Sequence, residues 1–277
     1  MLAMFGYGFM VNALLAGGVV AATSALVGFM LVLRGQSFAG HALSHVGFTG
    51  ATGAVLLGLP PLGGLVGASL LAGLLMGLLG ERTARRDVAI GLVLATALGL
   101  GLLFLHFFTA YASQATALLF GNIFGIDRQT FWMLLLVCLC SAGGLALIGR
   151  PLLFASLHPE LAEARGVSPR LFGTLFLLVV GLATAGCAQV VGVLLVFSLM
   201  VGPAAAALRV CATPRRALCV AVLFGVAQAW GGIVLAWFTD WPASFWITSL
   251  SAATFLLSCL PWRRWRASRP ADLLPAR

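Results

Sequence analysis

Charged side chains are scarce in this chain, and acidic ones are missing from its long apolar runs. Asp, Glu, Lys and Arg make up 8% of the 277 residues, against 61% hydrophobic residues, and lysine is absent altogether. The acids all lie in loops or tails: Glu81, Asp87, Asp127, Glu160, Glu163, Asp240 and Asp272. The only ionisable side chains left inside the apolar runs are histidines, led by His41 and His45. This composition is typical of a chain that lies in a membrane.

The apolar runs show no alternation of polar and apolar residues, which excludes a membrane β-barrel. Each run is about 20 residues long, enough to cross the hydrocarbon core as a helix. We therefore predict an all-α polytopic membrane protein with nine transmembrane helices: 10–33, 41–58, 62–80, 88–108, 130–149, 171–187, 190–208, 217–238 and 244–261. A merger of the two segments within 171–208 would leave eight as the alternative.

The arginines predict the orientation, because short loops rich in Lys or Arg stay in the cytoplasm. An outer amino terminus puts nearly all loop arginines on the cytoplasmic side: Arg34, the Glu81–Arg86 loop, Arg150, Arg165, Arg170, Arg209, Arg215, Arg216 and the Arg263–Arg266 tail. Arg128 is the exception. Residues 1–262 then form one transmembrane domain and residues 263–277 a cytoplasmic arginine-rich tail. This topology explains the net charge of +9 without a nucleic-acid partner.

Two common sources of energy for transport are missing from the chain. Carriers driven by proton or sodium gradients usually place Asp or Glu within the helix bundle, and none lies there. The phosphate-binding pattern Gly-x-x-x-x-Gly-Lys-Ser/Thr is also absent. If ATP powers transport, another polypeptide must bind it. The cysteines show no paired spacing, so we predict neither a disulfide framework nor a soft-metal site.

His41 and His45 are the candidate metal ligands. They are four residues apart in the second predicted span, so on a helix they share one face. Neutral imidazole is a good ligand for divalent transition metals, and two imidazoles at this spacing can hold one ion. Buried histidines that serve only as hydrogen-bonded structural residues are the alternative. Ser44 lies beside them as a candidate hydrogen-bond partner. We interpret His106, among phenylalanines at the end of the fourth span, as interfacial packing.

A short amphipathic segment lies in the predicted cytoplasmic loop between the fifth and sixth spans. Residues 158–166 have Pro159 in the first turn, acids near the start, Arg165 near the end and Gly166 as a stop signal, which predicts a short helix. Such a short helix is marginal in water, so it rests on something else. A partner protein and the membrane surface are the two alternatives. Ser168 and Pro169 then open the next helix.

Several motifs resemble those of the membrane permeases of bacterial ABC importers for zinc, manganese and related divalent metals. In chain order they are Gly40-His41-Ala42-Leu43-Ser44-His45, Asp87-Val88-Ala89-Ile90-Gly91, Leu119-Phe120-Gly121-Asn122-Ile123, Pro159-Glu160-Leu161-Ala162-Glu163-Ala164-Arg165-Gly166, and Gln189–Val196 followed by Gly202-Pro203-Ala204-Ala205-Ala206. Each motif alone is weak. Five of them in this order resemble the family over nearly the whole chain.

The resemblance implies a homodimeric permease in the bacterial inner membrane, with the translocation path between the two copies. It also implies two cytosolic ATPase subunits, an extracytoplasmic metal-binding protein and no permanently bound cofactor. Seven residues would form the coupling helix that contacts the ATPase: Pro159, Glu160, Leu161, Glu163, Ala164, Arg165 and Gly166. The chain itself would not be an enzyme, and ATP would be hydrolysed on the separate subunits.

Site residues carry over from the family at three positions. The span-two motif commonly reads Gly-Asp-Ala-Leu-Ser-His, so His45 matches directly, whereas His41 stands where the acid is usual. The exchange makes the path softer and less negative, which favours zinc over manganese. Asp240 matches an acidic position at the outer end of the penultimate span. It is interpreted either as a metal-binding carboxylate at the mouth of the path or as an ordinary interfacial acid.

Two alternatives remain open at this point. A permease for an iron chelate or a vitamin would share the architecture, but it would need a wider path and has less use for paired imidazoles. An intramembrane metalloenzyme is the alternative from a different class, because His-x-x-x-His can hold a catalytic zinc. That enzyme would lack a general base, since the same span contains no Asp or Glu.

Overall fold

The computed structural model describes residues 6–79, 83–107, 119–157 and 159–260. Throughout these ranges the regular structure is helical. The α-helices are α1 (Gly8–Leu33), α2 (Ser37–Leu56), α3 (Pro61–Leu79), α4 (Thr83–His106), α5 (Arg128–Leu157), α6 (Pro159–Ala164), α7 (Pro169–Val191), α8 (Val196–Val210), α9 (Pro214–Thr239) and α10 (Ala243–Cys259). Two 3₁₀ turns, Ile123–Gly125 and Val193–Leu195, lie between them.

The all-α membrane fold predicted from composition is confirmed, and a helix occupies each of the nine predicted spans. Six of the described helices are long and apolar enough to cross a membrane, while α8 and α10 are shorter apolar helices. The predicted short helix at 158–166 is present as α6. Three parts of the chain named in the predictions lie outside the described residues: the predicted cytoplasmic tail, the Glu81-Arg82 part of the predicted loop, and His158.

Three predicted boundaries were wrong. Helix α4 begins at Thr83 instead of residue 88, so Asp87, predicted in a loop, is helical. Helix α5 does not end at residue 149 but continues through Pro151 to Leu157. Proline is tolerated there because the following turn is packed: Leu152 is fully buried, and Ser156 Oγ donates a hydrogen bond to its carbonyl. The break between the sixth and seventh spans lies at Gly192 instead of residues 188–189, since Gly192 adopts φ 90° and ends α7.

Helices α1 and α7 form the centre of the bundle. The apolar windows of α1 and α7 are 72% and 67% buried, whereas those of α4 and α5 are 17% buried. Helix α1 packs against α5, α7, α8 and α9, and α7 packs against α3 and α5. Helices α4 and α5 therefore present most of their apolar surface outward, as lipid-facing helices do. The His-bearing helix α2 lies between α3 and α4 and also touches α7 and α8.

Glycines allow the closest helix crossings. Gly50 of α2 and Gly64 of α3 face each other so closely that a Cβ on either residue would collide with the carbonyl oxygen of the other. On α3, Gly73 and Gly77 also pack against α7, as their spacing predicts. Gly63 and Gly67 have the same spacing, but no described atom lies within 4 Å of a Cβ built on Gly67. Gly64, and not Gly63, lies on the face of α3 that contacts α2.

Candidate functional site

Helix α2 carries the candidate ligands and several hydroxyl side chains. These hydroxyl groups donate hydrogen bonds to backbone carbonyls. Thr52 Oγ1 donates a hydrogen bond to Thr49 O at 2.9 Å, one turn back in the same helix. Thr49 Oγ1 donates to Ala97 O of α4 at 2.6 Å, which joins the two helices. Ser69 Oγ of α3 donates to Leu43 O at 3.3 Å. These bonds keep the polar helix stable at membrane depth and hold it between α3 and α4.

The structure brings His41 and His45 together on one face of α2, as their spacing predicts. Their ring centroids lie 4.6 Å apart, and the ring planes make an angle of 82°. Both side chains are half-buried, so they are neither sealed in the core nor fully exposed. Two adjacent imidazoles with open access can bind a divalent transition metal through their ring nitrogens.

Phe197 of α8 covers one side of this pair, which the sequence did not predict. Its ring meets that of His41 edge to face, with centroids 5.7 Å apart. Phe38 lies one turn before His41 on α2, with ring centroids 6.5 Å apart. Ser44 is not a partner of either imidazole, because its Oγ donates a hydrogen bond of 2.7 Å to the backbone oxygen of His41. Aromatic rings therefore flank His41, while the described ring contact of His45 is with His41 itself.

Asp240 lies elsewhere in the molecule, directly after the end of α9. Its backbone adopts a left-handed conformation with φ 56°, and its side chain is exposed. It lines a cavity of about 460 Å³ together with aromatic residues and the start of α10; these residues include Phe9, Phe120, Asn122, Trp237, Trp241 and Ser244. Trp241 stacks on Trp246 with centroids 5.7 Å apart. Aromatic side chains therefore surround Asp240 at this end of the bundle.

The three predicted metal ligands do not form one coordination site. Neither His41 nor His45 lines the cavity that contains Asp240. Among the described residues, no three His, Cys, Asp or Glu side chains are grouped closely enough to hold one ion. The structure thus separates a pair of imidazoles in the bundle from a carboxylate at the end of α9.

Helix α6 projects from the bundle with its outer side free of contacts from described helices. Ala162 is fully buried, while Leu161 is 57% exposed. The helix packs on α5 and α7 and ends in a Schellman motif, in which Val167 N–H donates to Ala162 O at 2.8 Å and Gly166 N–H donates to Glu163 O at 2.9 Å. The positive φ of 78° at Gly166 explains the predicted stop.

The remaining side chains of α6 and its end form a polar rim around Leu161. Glu160, Glu163, Ala164, Arg165 and Gly166 are all exposed. Ser168 caps the next helix, since its Oγ accepts a hydrogen bond from Leu171 N–H at 3.4 Å. An exposed leucine inside a polar rim suits contact with either of the two predicted supports, a partner protein or the membrane surface.

The other singled-out residues have local roles. His106 is exposed at the end of α4 and meets Phe107 edge to face at 5.6 Å, which agrees with interfacial packing. Gln189 lies on α7 just before the Gly192 break, and its buried Oε1 accepts no hydrogen bond from a described residue. All six cysteines have free thiols, as predicted from their spacing.

Comparison with known proteins places this architecture in a family. Residues 6–261 match the profile of the ABC 3 transport family. The chain is 26% identical to the "Manganese transport system membrane protein MntC" of Halalkalibacterium halodurans, over 98% of this chain and 95% of the relative. It is 31% identical to the "Chelated iron transport system membrane protein YfeC" of Yersinia pestis, over 91% of this chain and 86% of the relative.

A solved structure shares the fold. PsaBC from Streptococcus pneumoniae in complex with Fab superposes with a TM-score of 0.83 at 25% identity, covering 96% of this chain and 98% of the other. These relatives are membrane subunits of transport systems, so the intramembrane metalloenzyme is set aside. The resemblance drawn from the five motifs is confirmed. The chain belongs to the ABC 3 transport family, as a multi-pass membrane permease subunit that leaves ATP hydrolysis to a separate subunit.

Proposed function

We propose that two copies of this chain form the translocation path of an ATP-driven importer of divalent metal ions, with zinc favoured over manganese. The observation that carries the proposal is the half-buried pair of imidazoles on α2, 4.6 Å apart, with Phe38 and Phe197 flanking His41. In a membrane, ionisable side chains of this kind mark an ion pathway. The ion is cargo: it binds the two nitrogens on its way through and is not retained.

Two imidazoles are too few to replace the hydration shell of an ion at membrane depth. No third His, Cys, Asp or Glu of the described chain completes the site. A second copy related by a two-fold axis along the path would supply two further imidazoles, giving a set of four nitrogens. Zinc prefers four-coordinate tetrahedral sites with such ligands, whereas manganese prefers oxygen. A site of four nitrogens from two copies therefore supports both the homodimer and the preference for zinc.

The relatives support metal as the class of cargo, and one of them supports a second candidate. Among eight matched relatives, five are named for manganese transport or import and three for iron transport, one of these for chelated iron. An iron-chelate permease is therefore the alternative function. Uptake of free zinc, free manganese and a ferric chelate by cells that express the complete transporter separates the two. Faster uptake of the chelate than of either free ion would favour the alternative.

Energy enters through α6 in this proposal. The exposed face of Leu161 with Glu160 and Glu163 docks on a cytosolic ATPase, and the closure of the ATPase dimer drives alternating access of the bundle. The importer then lies in the inner membrane of a bacterial cell. The amino terminus of the chain is outside, and its carboxyl terminus is in the cytoplasm. An extracytoplasmic metal-binding protein delivers the ion at the opposite end, where Asp240 contributes a carboxylate.

His45→Ala tests the ligand assignment. In cells that express the chain with its ATPase and metal-binding protein, we expect uptake of ⁶⁵Zn to fall at least about tenfold, because loss of one nitrogen per copy halves the ligand set. His106→Ala is the matched control, since His106 lies outside the pair, and it should transport at the wild-type rate. Wild-type uptake by a normally inserted His45→Ala variant would disprove the assignment.

Leu161→Asp tests the docking surface. The charge should weaken assembly with the ATPase or uncouple it, so that uptake falls while the permease stays folded in the membrane. Ala212→Asp, at an exposed position in the connection between α8 and α9, is the control. Equal uptake and equal ATPase copurification for the Leu161→Asp and wild-type proteins would refute the assignment of α6.

A further inference from the structure

Arg34 lies where three parts of the bundle meet. It is the C-cap residue of α1, but its guanidinium reaches away from α1 to the last turns of α5. There Nη1 donates a hydrogen bond to Leu152 O at 3.4 Å and another to Ser156 Oγ. The same guanidinium lies over the ring of Phe176 on α7, 5.5 Å from its centroid. One side chain thus joins the end of α1 to both α5 and α7.

The joint between α1 and α2 is rigid. Gln36 N–H donates to Leu31 O at 2.9 Å, and Gly35 N–H donates to Val32 O at 3.0 Å, with φ of 64° at Gly35. These bonds form a Schellman motif, and α2 begins directly after it at Ser37. His41 is the fifth residue of α2, about 6 Å along the helix axis from its start. A displacement of Arg34 therefore moves the first turns of α2 and the imidazoles with them.

The other end of the contact is equally short and stiff. Ser156 and Leu152 belong to the final turns of α5, and α6 begins at Pro159. Helix α6 packs on α5 and α7, with Ala162 fully buried at the contact. Movement of α6 therefore displaces the last turns of α5, to which Arg34 is hydrogen-bonded. Only position 158 lies between the end of α5, which Arg34 contacts, and the start of the helix that carries Leu161.

We propose that Arg34 is the positioning residue that transmits movement of α6 to α2 and so opens and closes the site formed by His41 and His45. The inference rests on the proposed function, in which α6 docks on an ATPase. It assigns the link to a side chain and not only to helix packing. Arginine suits this task, because Nη1 donates to a carbonyl and a hydroxyl at once while the planar guanidinium lies over an aromatic ring.

A purely electrostatic role at the ends of α1 and α5 is the competing explanation, because a cation near a helix carboxyl terminus is favourable. Lysine would satisfy that role, since it keeps the charge. Lysine has no planar group to lie over the Phe176 ring, and its nitrogen cannot take the place of Nη1 beyond that group, so it would not hold Leu152 O, Ser156 Oγ and the ring together. The Arg34→Lys variant therefore separates transmission from simple stabilisation.

The experiment measures zinc transported per ATP hydrolysed, with the complete complex in proteoliposomes and with thermal unfolding of each variant as a second measurement. For Arg34→Lys we expect the ratio to fall about tenfold, a typical size for coupling between sites. The Tm should stay within about 2 °C of the wild type, because lysine keeps the positive charge near the helix ends. Arg150→Lys, at an exposed position on α5, is the matched control and should keep the wild-type ratio.

Ser156→Ala adds a second test of the same contact. It should lower the ratio by less than Arg34→Lys, and the double variant should be no worse than Arg34→Lys alone, because both changes remove one link. A wild-type ratio in Arg34→Lys, or additive losses in the double variant, would overturn the inference. If Leu161→Asp uncouples transport in this assay but Arg34→Lys does not, only the role of Arg34 fails. If Leu161→Asp has no effect, the proposed function of α6 fails.

Discussion

His41 and His45 meet edge to face on α2, with ring centroids 4.6 Å apart and planes at 82°. In the proposed function the pair supplies nitrogen ligands, whereas the family resemblance implies an acid at the position of His41. His41→Asp restores the mixed oxygen and nitrogen set. Because manganese prefers oxygen ligands and zinc accepts nitrogen readily, we expect the zinc-to-manganese uptake ratio to fall about tenfold, equivalent to ~1.4 kcal/mol.

Competition between ⁶⁵Zn and ⁵⁴Mn in the same vesicles measures this ratio. His106→Asp is the control, because His106 is exposed at the end of α4 and away from the pair. An unchanged ratio in a His41→Asp protein that still transports would contradict the assignment of metal preference to this position.

The contact between Gly50 and Gly64 predicts a steep cost for one added methyl group. In Gly64→Ala, the new Cβ would collide with the carbonyl oxygen of Gly50, so α2 and α3 must separate. We expect a loss of about 1–3 kcal/mol in the free energy of unfolding, as for other overpacked contacts. The measurement is thermal or denaturant unfolding of the purified protein in detergent.

Gly67→Ala is a control on the same helix. No described atom lies within 4 Å of its Cβ, so alanine should leave stability unchanged or raise it by roughly 0.5–1 kcal/mol through its higher helix propensity. Equal destabilisation by the two variants would show that α2 and α3 do not cross at Gly64.

Removal of the Asp240 charge should change the apparent affinity for zinc without changing the maximal uptake rate. Asn tolerates the left-handed backbone that Asp240 adopts, with φ of 56°, so Asp240→Asn removes the charge and keeps the turn. If the carboxylate attracts the incoming ion, KM for zinc should rise several-fold while the maximal uptake rate stays the same. Asp127→Asn, at another exposed acid, is the control; an identical KM in both variants would leave Asp240 as an interfacial acid.

Asp127 predicts a pH-dependent contribution to stability at the start of α5. Its carboxylate accepts a hydrogen bond from Thr130 N–H at 2.9 Å, and this bonding to Thr130 lowers the pKa of Asp127 below its ordinary value. A lowered folded-state pKa means that the contribution is full above the unfolded pKa of about 3.9 and is lost as the pH falls through the folded value.

The measurement is the difference in Tm between the wild type and Asp127→Ala. We expect it to be largest and constant from pH 7 down to about pH 5, and to shrink below about pH 4, where the wild-type carboxyl becomes protonated. A difference that stays the same down to pH 3 would mean that the ionised carboxylate is not what stabilises the helix start.

Much of the fold was predictable because lipid makes local rules decisive. A chain in the hydrocarbon core must satisfy each backbone group within its own segment, so apolar runs become helices. The short helix α6 was predictable for the same local reason, since Pro159 and Gly166 mark its ends. The end of α5 was not predictable in this way, because Pro151 lies inside the helix and burial of Leu152 holds α5 together beyond it.

The candidate site was predictable only in part. The spacing of His41 and His45 depends on one helix, and the structure confirms that their rings adjoin. The contacts of Phe197 and Arg34 could not be predicted from the sequence, because they depend on which helix lies opposite each side chain. The open surroundings of Gly67 were unpredictable for a related reason. Small-residue spacing shows that two helices can approach, but it does not show which face of α3 makes the contact.

The sequence by itself determined that the chain is a helical membrane protein, that its ionisable groups at membrane depth are imidazoles and that it cannot bind ATP through a phosphate-binding loop. These properties follow from composition and from periods of a few residues. Only the tertiary structure decided that Asp240 lies in a cavity apart from the histidines, and that Arg34 joins α1 to α5 and α7. Contacts between distant segments depend on how whole helix surfaces fit together, and local sequence patterns do not encode that fit.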